Sequence, residues 1–251
     1  MGYMNIPHLR RKIGCIALLL IVRLFPQAAA SLAGEVTILD LAGVIVNTAL
    51  DIFLVAALYH ALRPEKAYGG LQMIGVIQRI RFVIACVFFG LAALVCLMYF
   101  LLLMSGRMET QETQIVLVFM LVPTAVLFSR MMFFLKSANL ASQLRRDTWA
   151  PSQGPETWAL VCAAASLVYM ATVLLARYAV PAAPEISGGS AEQQLVTALS
   201  DTVSQRNGGF WDVLQRYVSP LINCALYFSV YRLLYALRLS APAPEQAEGK
   251  G

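Results

Sequence analysis

The chain has 251 residues, of which 59% are hydrophobic and only 13% charged, with a mean hydropathy of +0.68. A water-soluble domain carries about 25% charged residues, so this composition cannot cover a water-facing surface and excludes an ordinary soluble globule. The formal net charge of +5 reads as a topology signal, not as a nucleic-acid footprint, because the basic residues stand beside apolar segments.

Residues 1–12 are short and basic, with His8, Arg10, Arg11 and Lys12. The apolar run Ile13–Val22 follows, then Arg23, Pro26 and Ala28-Ala29-Ala30. Two readings compete here. One is a signal peptide cut after Ala30. The other is an uncleaved first span over 13–33, preferred because Arg23 breaks the apolar core and another span follows at once.

The second span covers 36–62 and ends at Arg63-Pro64, where charge and proline stop a helix. It carries Asp40, Asn47 and Asp51. At about 100° per residue these three fall within an arc of roughly 40°. A carboxylate in the middle of a bilayer costs at least about 2.5–3.5 kcal/mol. Two on one face must therefore turn towards other helices, water or a cation.

Gly69-Gly70 reads as a turn, and Leu71–Ile80 as an apolar stretch lying along the membrane surface. The third span, 82–104, is free of charge. The fourth, 115–135, holds Pro123 near its middle. Its Arg130 is placed near the inner end, where it can reach the headgroups. The fifth, 157–180, contains the small run Ala163-Ala164-Ala165-Ser166, suited to close helix contact. Residues 181–209 form the longest loop, within which 192–205 has the spacing of a short amphipathic helix. The sixth span, 213–237, places Arg216, Ser219, Asn223 and Tyr227 on one face. Residues 240–251 read as a disordered tail, rich in Pro, Ala and Glu.

The expected fold is thus all-α: a single transmembrane domain over 1–239, with six helices arranged as three hairpins. Lysine and arginine are concentrated in the N-terminal segment, in 63–81, in 136–156 and from Arg238 onward. They are sparse in 27–36, 105–114 and 181–209. That alternation places both termini in the cytoplasm of a cell whose plasma membrane holds the chain.

Five cysteines (Cys15, Cys86, Cys96, Cys162 and Cys224) are odd in number and contain no CxxC pair. His8 and His60 lack ligand spacing. No disulfide framework, metal site or cofactor is expected. No GxSxG, HExxH or Walker A motif occurs, so no catalytic residues are named and no enzyme is expected.

The candidate ligand or ion site is Asp51, Asn47, Asp40, Asn223 and Tyr227, with Arg23 and Asp40 as an expected ion pair across the first hairpin. Asp51 is expected either to be neutral and hydrogen-bonded to a partner such as Asn223, or to hold a cation, with no lysine or arginine at its depth. A short likeness between Val46-Asn47-Thr48-Ala49-Leu50 and Ile222-Asn223-Cys224-Ala225-Leu226 makes Asn47 and Asn223 a candidate matched pair. The functional expectation is a small transporter, channel or solute-binding protein in the lipid bilayer. The alternative is a non-catalytic subunit or scaffold for a membrane partner or a second copy; no nucleic-acid partner is expected.

Overall fold

The computed structural model describes residues 7–33, 38–61, 63, 66–105, 110–145, 154–179 and 217–239. Among these residues the fold is all-helical, with six helices and no strand. They are α1 (Pro7–Ala33), α2 (Ile38–Ala61), α3 (Ala67–Met104), α4 (Thr110–Arg145), α5 (Gly154–Ala179) and α6 (Ser219–Leu239). Five of them, α2 to α6, are long and apolar enough to cross a membrane. The loop 181–209, its amphipathic segment and the tail lie outside the described residues.

The largest departure from expectation is α3. The apolar stretch before Phe82 is not a separate surface segment. It continues into the span as one helix of 38 residues, about 57 Å long at 1.5 Å per residue. The reason is local. Gly69-Gly70 does not turn the chain; the turn comes earlier, where the Arg63 amide donates to His60 O at 3.1 Å and the Lys66 amide to Arg63 O at 3.0 Å. Gly70 is then needed for packing. A Cβ there would stand 2.8 Å from Ala57 O and from Ala61 Cα, so its absence lets α3 lie against the backbone of α2. Helix α4 is also longer than expected, running from Thr110 to Arg145 and continuing through Pro123. Thr124 follows that proline and donates its hydroxyl to Met120 O at 2.8 Å, one way in which polar side chains satisfy backbone groups near a helix proline.

Each helix packs against its neighbours in the chain, and α6 packs back on α1, closing a six-membered ring. The outside of the ring is greasy: Ile45, Phe53, Val83, Val87, Leu91, Leu94 and Leu175 are all exposed. The inside mixes apolar residues such as Leu20, Leu54 and Phe133 with small or polar ones, Ala57, Ala159, Ser129, Ser166 and Asn223. Small and hydroxyl residues between greasy helices are what close contact within a lipid layer favours.

Candidate functional site

Asp51 is wholly buried, with 0% exposure. It lies on α2 beside Leu50 and Leu54, which are buried as well. Its carboxylate is held by two arginines from two other helices. Arg23 of α1 donates Nε at 3.0 Å and a terminal nitrogen at 2.6 Å to Oδ2. Arg81 of α3 donates to Oδ1 in a buried ion pair. Arg23 also donates to Asn223 Oδ1 of α6 at 3.4 Å. One carboxylate thus ties four helices together.

Aromatic side chains complete the surroundings. The Arg81 guanidinium lies 6.0 Å from the Phe134 ring centroid. Tyr227 is buried, packs edge-on against Phe133 at 5.2 Å, and stands within electrostatic reach of Arg23, Arg81 and Arg130. Ser129, Cys162 and Ser166 are buried between α4 and α5, where the two serines return their hydroxyls to backbone carbonyls one turn back.

The expected residues divide as follows. Asp51, Asn223 and Tyr227 come together. Asn47 does not join them: it is exposed, because no residue of α2 from Ala42 to Ala49 is buried and the tight packing begins only at Leu50. Asn47 and Asn223 therefore differ in burial, the first exposed and the second buried. The Asp40 side chain lies outside the described residues. Arg23 gives its guanidinium to Asp51 and Asn223, and its expected pairing with Asp40 lies outside the described residues. Asp51 is neither an unpaired acid nor an open cation site, since both oxygens are taken by guanidinium groups. Arg130 is not at a helix end either. It lies well inside α4, is partly buried, and its Nε is enclosed without a hydrogen-bond partner.

Two site residues, Arg81 and Arg130, were missed by placing them at membrane boundaries. A signal for both was present in the numbering. In two antiparallel helices joined by a tight turn, residues equally far from the turn lie at equal height. Thr37 stands midway between Arg23 and Asp51, Lys66 midway between Asp51 and Arg81, and Ser105-Gly106 midway between Arg81 and Arg130. Reflection across successive turns brings all four charges to one level. Reading 71–80 as a surface segment broke that reflection.

Among the described residues no group of three or more metal-type side chains assembles. Comparison with protein-family models, with curated proteins and with solved structures gave no match.

Proposed function

We propose that the chain is a polytopic membrane protein with six crossings and both termini in the cytoplasm of a cell whose plasma membrane holds it. We further propose that it binds or passes a small solute at the charged centre around Asp51. The observation that carries this is a fully buried carboxylate held by two arginines, one buried and one partly buried, inside an apolar ring. A buried ion pair is an inefficient way to hold helices together, because well-packed apolar residues of similar volume serve as well or better. Ionisable groups deep in membrane segments mark pathways and ligand sites more often than they mark simple packing. At 1.5 Å per residue, Arg63 in the basic α2–α3 turn is about 18 Å from Asp51. In a hydrocarbon layer about 30 Å thick, the centre is far below the headgroups.

The orientation rests on charge. Lys12 near the start of α1 donates to Arg232 O near the end of α6 at 3.0 Å, so those two ends share one side of the bundle. The antiparallel course puts Arg63 and Lys66 on that side too. A basic side is the cytoplasmic one.

The test separates a solute site from a structural clamp. Asp51→Asn alone leaves two buried arginines without a counter-charge, so it is expected to lower protein levels and is a poor probe. The informative variant replaces the whole triad with apolar residues of similar size: Arg23→Met, Asp51→Leu and Arg81→Met together. Its expected outcome is near-normal accumulation with no complementation of a strain that lacks the gene. If the apolar triad complements as well as wild type, the centre is glue between helices, and the protein is better described as a scaffold for a membrane partner.

A further inference from the structure

Resting on that reading, we infer that the ligand is a small oxyanion, a carboxylate or a phosphoryl group, held by Arg130 with the aid of Arg23, Arg81 and Tyr227. Charge is the first reason. Among the described residues the ring interior holds Arg23, Arg81 and Arg130 against Asp51. Glu156 is buried in the first turn of α5 and has an interaction of its own. Even with Glu156 counted, the interior has one more guanidinium than carboxylate. A single bound anion would neutralise that excess.

Reach is the second reason. Asp51 is fully covered at 0% exposure, whereas the Arg23 side chain retains 13% and Arg130 is only partly buried. A solute that arrives at the centre therefore meets arginine side chains and not the carboxylate. Asn47 lies on the arc of Asp51, within roughly 40° on the helix wheel, yet is exposed. Exposure on this arc of α2 thus begins about one turn from Asp51, on the side away from the basic turn.

Geometry supplies the third reason. Two of the three guanidinium nitrogens of Arg23 engage Asp51 and the third engages Asn223, and Arg81 is spent on Asp51 as well, so these two arginines aid through their charge. Arg130 has a buried Nε with no partner, and a guanidinium fork binds a carboxylate or phosphate through two parallel hydrogen bonds. Tyr227 is buried one turn from Asn223 on α6, against Phe133 of α4, and carries a hydroxyl that can donate to the same anion. A lipid headgroup is a poor occupant, because the centre is about 18 Å along the helix from the basic turn.

The experiment uses the full chain in nanodiscs of zwitterionic lipid. Sodium acetate and sodium phosphate are titrated at constant ionic strength against sodium chloride, by calorimetry and by thermal melting. Wild type is expected to show saturable binding and a raised melting temperature with acetate, with phosphate, or with both. The two arms separate a carboxylate ligand from a phosphoryl one. Arg130→Gln should weaken binding at least tenfold, and Lys136→Gln, further along α4, should leave it unchanged. Should Arg130→Gln fail to accumulate, Arg130→Lys keeps the charge but loses the fork, and a clear weakening there supports the assignment equally. Saturable binding that is the same in wild type, Arg130→Gln and Arg130→Lys overturns it, as does the absence of saturable binding of either anion to wild type. The broader reading fails separately. If the apolar triad abolishes complementation while no oxyanion binds, the centre handles a solute of another class.

Discussion

Asp51 shows how one buried charge sets the behaviour of its neighbours. Its two arginines are not equivalent. Arg81 forms an ion pair with Asp51 alone and stands near the Phe134 ring, whereas Arg23 also bonds Asn223. Arg23→Leu leaves Asp51 paired with Arg81. Arg81→Leu leaves it paired with Arg23. Asp51→Leu strands both guanidinium groups. Breaking a buried pair by removing one partner costs about 3–5 kcal/mol, so Asp51→Leu should lower accumulated protein the most. Restoring neutrality with Arg81→Leu in the Asp51→Leu background should recover part of the level, because one stranded cation is removed. Quantitative blotting of membrane fractions checks this order; an Asp51→Leu level equal to wild type would contradict it. Of this centre, the sequence made Asp51, Asn223 and Tyr227 legible, because polar residues in apolar helices stand out against their surroundings. The arginines were harder to place. A basic residue beside a presumed loop is assigned to the headgroups by default, and only knowledge of where each turn falls brings it inward.

At the scale of the helix, α2 and α3 illustrate the same point. The apolar content of both is plain in the sequence, but glycine has two opposite uses, as a turn former and as a site of close helix approach. Gly70 serves the second. Gly70 and Gly75, both in α3, can be told apart by experiment. A Cβ at Gly70 meets the backbone of Ala57 and Ala61, which cannot yield as a flexible side chain would. A Cβ at Gly75 meets Ala141 Cβ at 3.7 Å and Ala138 O at 3.9 Å, ordinary contact distances. Gly75→Ala should therefore be neutral or slightly stabilising, since alanine is the better helix former by about 0.8–1.0 kcal/mol. Gly70→Ala should separate α2 from α3, cost about 1–3 kcal/mol as overpacking does, and pull Arg81 away from Asp51. Thermal melting of the purified variants in detergent measures both, and equal stability of the two alanine variants would show that α2 and α3 do not pack through Gly70.

At the scale of the whole molecule, closure of the ring and the sense of crossing are two sides of one argument. Helix α6 lies against α1, and Lys12 reaches Arg232 O across that seam. The start of α1 and the end of α6 can share a side only if the chain crosses an even number of times between them. Five of the six helices meet the length and apolarity needed for crossing. Helix α1 carries Arg23 in its middle, and that arginine is matched to Asp51 of α2 at the same level. A helix that must place Arg23 beside Asp51, deep within α2, has to enter the layer as deeply as α2 does. The sixth crossing proposed above rests on this ion pair and not on hydropathy. Reporter fusions make this testable. Fusions after Lys66, Arg146 and Pro242 should read as cytoplasmic, and fusions after Glu109 and Gly189 as external. The decisive comparison is between a fusion after Lys66 and an N-terminal tag. With α1 as a crossing, both lie on the cytoplasmic side. With α1 on the surface, they lie on opposite sides. A cysteine pair at positions 12 and 232, Lys12→Cys with Arg232→Cys, should then be bridged within one chain by a short bis-maleimide, which replaces the reach of the Lys12 side chain. An N-terminal tag external to a cytoplasmic Lys66 fusion, with no cross-link at that seam, would break both the ring and the six-crossing topology.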